Sequence, residues 1–296
     1  MNRVDDKLSS LEALTGNTGH VQDLEKEWLL SEVPLLDVWE GVSAVWEFDG
    51  DDTAALADAT GNGLTLAEAP TSVVTPVQGT GILGNSRAQD TTSFAFYEVI
   101  NPVFDSASFT FILWIKPNSP GSIFAGSFDD TFADGGWYLQ QFGDFTFFSW
   151  VEVPIQFKGS LSGVATRPDE WTMVAFRYDD VAKKITVTAN DGSGSFGTWV
   201  EAADMTPQNG GRLNIGSAWD FSLAGTMEWD AARYFPRALS DREIKGHYNA
   251  GKALAYPEAA VLSVGGDHIN DLWLQLFKDN GASSANWNDA AYQFLG

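Results

Sequence analysis

From Ala44 to about Tyr234 the apolar positions fall in short runs separated by Gly, Asp, Asn or Pro, the punctuation of strands and tight turns. Six runs are clearest: 44–48, 94–99, 109–115, 172–178, 184–189 and 212–216. They are rich in β-branched and aromatic residues, which suit a pleated, half-buried surface. Lys184 to Ala189 shows the period directly, with Ile185 and Val187 on one face and Thr186 and Thr188 on the other. Few of the intervening stretches read as crossover helices, so the pattern predicts antiparallel sheets. The expected fold is all-β, a two-sheet jelly-roll sandwich with short helical segments at both ends.

The pattern changes at the ends and suggests three parts: 1–40, 41–256 and 257–296. Val4, Leu8 and Leu11 are spaced four then three, as on the seam of a short coiled coil. Two heptads are marginal alone, so a surface helix packed on its own domain stands as the alternative to an oligomerising coil. A second amphipathic run, Val21 to Leu30, stops before Pro34. His20-Val21-Gln22-Asp23-Leu24 is echoed by His268-Ile269-Asn270-Asp271-Leu272. Each echo leads into a Leu-rich amphipathic run with a Trp, which makes Trp28, Leu272, Trp273 and Leu276 candidate docking residues beside the coil seam. Ser240 followed by Glu243 predicts a capping box at the start of a further helix.

Composition removes several function classes. Forty Asp and Glu oppose 17 Lys and Arg among 296 residues, a formal charge of −23 that repels nucleic acid. With no cysteine there are no disulfides, thiolate metal sites or cysteine nucleophiles. The longest apolar run, Phe111 to Ile115, is far short of the roughly 20 residues of a membrane span, so no insertion is expected. The first residues carry no apolar signal core, so no secretory leader is expected either. The three histidines, His20, His247 and His268, form no HxH or HExxH pattern.

Several strings resemble the laminin-G-like, concanavalin A-like lectin/glucanase superfamily. They are Ala44-Val45-Trp46-Glu47-Phe48-Asp49, Asp58-Ala59-Thr60-Gly61-Asn62-Gly63, Ser108 to Pro117, Glu170 to Asp179, and Arg233 to Ile244. Together they cover about residues 42–250 in the family's order. The superfamily includes glycoside hydrolases that carry a Glu-x-Asp-x-Glu or Glu-x-Asp-x-x-Glu strand. Here Glu228 and Asp230 match, but the third position is Ala232, or Arg233 in the longer form. Retaining hydrolysis needs two carboxyls about 5 Å apart, so the resemblance implies no enzyme. Related domains also place a structural calcium near the first acidic loop and the last strand, which makes Asp49, Asp58 and Asp230 candidate ligands beside a plain solvated loop. Sugar recognition needs exposed aromatic faces, for which Trp137, Tyr138 and Trp219 are the leading candidates, with Trp150 and Trp199 behind them.

The terminal segments are similar to leaders and C-termini of tailed-bacteriophage virion proteins. The resulting expectation is a non-enzymatic, homo-oligomeric protein of the virion surface, a capsid decoration, head fibre or tail component. It would dock to other virion proteins and hold a host or environmental glycan. A polysaccharide-active hydrolase or a free carbohydrate-binding module is the alternative.

Overall fold

The computed structural model describes residues 38–256 apart from 52–53, 69–75, 90–96, 119–122, 128–135, 143–144, 153–155, 166–168, 191–195, 207–209 and 217–225. The proposed coil and docking residues Val4, Leu8, Leu11, Trp28, Leu272, Trp273 and Leu276 lie outside the described residues.

Two sheets carry the fold, and every pairing among the described strands is antiparallel. The first contains β1 (Ala44–Trp46), β3 (Val77–Thr80), β4 (Asn85–Gln89), β6 (Phe109–Pro117), β11 (Thr172–Asp179), β12 (Lys184–Asn190), β13 (Phe196–Ala202) and β15 (Met227–Phe235). Its order is β13-β12-β11-β6-β15-β4-β3, with β1 also paired to β15. The second contains β2 (Ala67–Glu68), β5 (Tyr97–Ile100), β7 (Ile123–Ser127), β8 (Trp137–Phe142), β9 (Phe145–Glu152), β10 (Gln156–Ala165) and β14 (Arg212–Ile215). It runs β10-β9-β8-β7-β14-β5-β2. This is the expected two-sheet sandwich, and the six anticipated strands are present. Phe94 to Phe96 of the second run lie outside the described residues.

The inner faces interleave an aromatic core. Trp137 from the second sheet stacks on Phe109 and Phe176 of the first, with ring centroids 5.4 and 4.7 Å apart. Tyr97 meets Trp229 edge-on at 6.1 Å. Rings of this size dominate the burial energy of a sandwich, and offset or edge contacts match their charge distribution.

The two outer faces differ. In the first sheet the outward residues Ile112, Trp114, Met173, Ala175 and Phe235 are apolar and each no more than 1% exposed. They lie under a third layer built from residues 38–42, the helix α1 (Asp241–Tyr248) and the segment after it. Ser240 caps α1 with the anticipated box: its hydroxyl accepts from the Glu243 backbone N–H, and the Glu243 carboxylate accepts from the Ser240 N–H. Tyr248 stacks on Trp114 at 5.6 Å, and Leu239 N–H donates to Thr110 Oγ1 at 2.9 Å. Trp39 packs edge-on against His247 at 4.6 Å. The second sheet alternates instead: Tyr97, Val99, Leu213 and Ile215 point inward and are buried, while Glu98, Ile100, Arg212 and Asn214 point outward.

Candidate functional site

Strand register assembles a row of small and polar positions across the outer face of the second sheet. Ala67 opposes Glu98, Glu98 opposes Asn214, Asn214 opposes Gly126, and Gly126 opposes Tyr138. The row continues through positions 149 and 159. Directly opposed residues share a face, and strands lie about 4.8 Å apart, so the row from Glu98 to Gly159 spans about 24 Å.

Asn214 holds the middle of this row. Its residue is 1% exposed, and its Oδ1 is buried with no hydrogen-bond partner. A buried acceptor left unmade costs about 1–3 kcal/mol, so this atom favours any donor brought to it. Gly126 beside it leaves the floor without a side chain. A Cβ there would sit 3.0 Å from Tyr138 Cβ and 3.0 Å from the Trp137 carbonyl oxygen, pushing on the one aromatic ring of the row. Arg212 Nε lies 3.8 Å from Glu98 Oε2, a loose pair at one end. Gln140, 7% exposed, stands on the same face as Tyr138.

The predicted aromatic set separates by strand phase. Tyr138 points outward and is half-buried. Trp137 does not: it is 2% exposed and belongs to the core, because adjacent residues on β8 face opposite sides. Trp150 is opposed to Trp137 and is buried with it at 4% exposure. Trp199 is half-buried and packs its ring 4.6 Å from that of Phe148. Trp219 lies outside the described residues. Glu98, Asn214 and Gly126 were not singled out in the sequence. The alternation Arg212-Leu213-Asn214-Ile215 was the available signal, since it places Asn214 away from the core.

The three candidate calcium ligands do not converge. Asp58 caps its own turn: Oδ1 accepts from Val45 N–H at 3.2 Å and Thr60 N–H at 3.0 Å, and Oδ2 accepts from Leu64 N–H at 3.2 Å. Asp49 and Asp230 instead flank the turn between β3 and β4. Asp49 Oδ1 accepts from Asn85 N–H at 2.6 Å, and Asp230 accepts from Leu83 N–H at 2.9 Å and Ala231 N–H at 2.6 Å. Calcium asks for six to eight oxygens free to point at it, whereas these oxygens face N–H donors. Among the described residues no group of three or more His, Asp or Glu is placed to hold a metal ion. The donor set does not fit the ion.

Asp230 is nevertheless unusual. It is 0% exposed, and burial pushes its carboxyl up to about 8, with the charge of Asp49 adding to the rise. The two backbone N–H donors and Arg233 offset this in part. Glu228, two residues earlier on the same face, pairs with Lys116 Nζ at 2.8 Å and accepts from Ser86 Oγ at 3.2 Å.

Two outcomes follow from these carboxylates. Asp58→Ala frees three backbone donors, Val45 on β1 and Thr60 and Leu64 in the loop after it, so it lowers Tm equally with and without calcium, and calcium titration leaves the Tm of either protein unchanged. Asp230 has a folded pKa above its ordinary value of 3.8, so its protonated form stabilises the fold at low pH and that advantage is lost as pH rises towards 8. The stability difference between wild type and the always-neutral Asp230→Asn variant therefore falls between pH 4 and 8 by up to about 1.4 kcal/mol per pH unit, measured by urea denaturation.

The family model described as Concanavalin A-like lectin/glucanases superfamily matches residues 89–245. No curated protein matches the chain. Among solved structures, the binding domain of Paraclostridial Mosquitocidal Protein 1 aligns at TM-score 0.56 and 12% identity, over 72% of this chain and 53% of that one. Domain 4 of AbnA, a GH43 extracellular arabinanase from Geobacillus stearothermophilus solved in complex with arabinotriose, aligns at TM-score 0.55 and 18% identity, over 72% of this chain and 98% of that one. The Botulinum Neurotoxin Type G receptor binding domain aligns at TM-score 0.52 and 12% identity, over 71% and 51%. The chain thus spans about half the length of the two toxin domains, and at these identities the likeness is one of fold. With more than half of its length matched by the family model, the chain belongs to the concanavalin A-like lectin/glucanase superfamily.

Proposed function

We propose that the sandwich is a non-catalytic glycan-binding domain whose ligand lies along the row Glu98–Asn214–Gly126–Tyr138 on the outer face of the second sheet. The observation that carries this reading is the buried, unpartnered Oδ1 of Asn214 one strand away from a glycine floor and two strands from the Tyr138 ring. A sugar hydroxyl satisfies such an acceptor, and an aromatic face takes the apolar side of the ring. An arabinanase domain of the same fold, solved with arabinotriose, supports a saccharide as the ligand class.

The carboxylates favour binding over hydrolysis. Glu228 is held by Lys116 and Ser86, and Asp230 is sealed from solvent by the β3–β4 turn. A retaining pair must reach a substrate from both sides of one bond. Past Asp230 the strand offers Ala232, packed in the core, and Arg233, which donates to the Ala231 carbonyl at 2.8 Å and to the Leu254 carbonyl.

The setting we propose is the surface of a tailed-phage particle, where the terminal segments dock the chain to other virion proteins and to further copies of itself. Support comes from the resemblance of those segments to virion leaders and C-termini, and from a net charge of −23 that keeps crowded copies soluble. Mass spectrometry of purified particles tests the setting: stoichiometric recovery supports it, and recovery only from the soluble lysate contradicts it. Glycan-array screening followed by calorimetry tests the site. A bound oligosaccharide without turnover is expected, and Tyr138→Ala weakens it roughly tenfold with Tm little changed. An unchanged affinity in that variant, or release of reducing ends, contradicts the reading.

A further inference from the structure

A cavity lies on the side of the sandwich opposite the polar row. About 400 Å3 opens on the outer face of the first sheet, where β11 and β12 pass below residues 238–243. A water occupies about 30 Å3 in the liquid, and small-molecule sites begin near 300 Å3, so the space suits a ring rather than a bare ion.

Its walls are chemically divided. Ala182, Ala238 and Leu239 supply an apolar side. Arg177, Lys184 and Thr186 supply a donor side, with Arg177 directly opposite Thr186 in the β11–β12 register. Two acids also line the cavity: Asp179, directly opposite Lys184 in the β11–β12 register, and Glu243. Asp179 Oδ1 accepts from the N–H groups of Val181 and Ala182 at 3.0 and 3.1 Å. Glu243 accepts from Arg237 at 2.6 Å and from the Ser240 N–H and hydroxyl at 2.7 Å each. Arg177 uses Nη1 for the Leu239 carbonyl and for Asp241, 2.9 Å away, which leaves its other donors. Lys184 has no acid within ion-pair distance among the described residues, although 40 acids are spread over the chain.

We propose that this cavity binds an acidic monosaccharide unit, with its carboxylate between Arg177 and Lys184 and its ring against Ala238 and Leu239. The Lys184 ammonium, which forms no ion pair although Asp179 stands opposite it on β11, supplies the charge, Thr186 supplies a hydroxyl partner, and the apolar wall takes the C–H face of the ring. The site is independent of the sugar row on the second sheet, and the two faces are tested separately.

Calorimetry on the full chain with glucuronate, glucose and acetate decides it. Glucuronate is expected to bind at least tenfold more tightly than either glucose, which lacks the charge, or acetate, which lacks the ring. Lys184→Ala weakens glucuronate roughly tenfold, because one charge-assisted contact is lost at an exposed residue, and Lys184→Arg restores it. Tyr138→Ala leaves it intact. No glucuronate binding, equal binding of glucose or acetate, full affinity in Lys184→Ala, or loss of affinity in Tyr138→Ala overturns the proposal.

Discussion

A sandwich has one interlayer but four sheet faces, and here buried apolar side chains extend beyond the interlayer onto the middle of a third face. The middle of the first sheet is apolar on its outer face as well as its inner one, so Ile112, Trp114, Met173 and Phe235 require a cover. Each buried side chain of that size is worth about 1.5–3 kcal/mol relative to exposure, which is the force that seats α1 and residues 38–42 on the sheet. The second sheet keeps its buried apolar side chains on its inner face. Its outer face carries the row Glu98, Asn214, Gly126 and Tyr138, in which Asn214 is itself buried.

β15 is the strand that organises this arrangement. One edge pairs with β6 along its length; the other pairs with β4 through Met227–Trp229 and then with β1 through Ala232–Tyr234. The change of partner falls at Asp230 and Ala231, where the register slips and Ala231 adopts φ 49°. A bulge lets one strand serve two neighbours in series, at the cost of strained backbone and exposed ladder groups. Asp230 offsets that cost by accepting the Ala231 N–H and reaching the β3–β4 turn through Leu83. Gly81 and Gly84 follow from the same contacts: a Cβ at either would lie 2.3 Å from Asp230 Oδ2 or 2.1 Å from Asp49 Oδ1. Glu228 and Asp230 are thus tied to Lys116, Ser86, Leu83 and Ala231, and the proposed ligand lies on the polar row of the other sheet.

Much of the fold was legible because strand alternation is a local property. Lys184 to Ala189 reads as a strand with Ile185 and Val187 on its inner face without knowledge of its partners, although Thr186 and Thr188 on the other face are buried as well, and Ser240 with Glu243 reads as a cap from spacing alone. The site was less legible because it depends on phase and on distance along the chain. Trp137 and Tyr138 are equally good sugar platforms as letters; only the pairing of β8 with β7 and β9 decides which one faces out. Asn214 and Glu98 meet through a register between strands more than 100 residues apart in sequence, which no spacing rule predicts. The expected set Asp49, Asp58 and Asp230 divides between two places, and the N–H groups that face the oxygens of Asp49 and Asp230 belong to residues 83, 85 and 231, which no spacing in the sequence signals.

The central claim is that the outer face of the second sheet, and not the covered first sheet or the Glu228–Asp230 strand, is where a neutral oligosaccharide binds. Amide chemical-shift mapping during titration with an oligosaccharide identified by array screening tests this most directly. The account predicts the largest shifts at Glu98, Gly126, Tyr138 and Asn214, with Leu83, Glu228 and Asp230 unmoved. Shifts confined to the β3–β4 turn and β15, with the polar row silent, would contradict it.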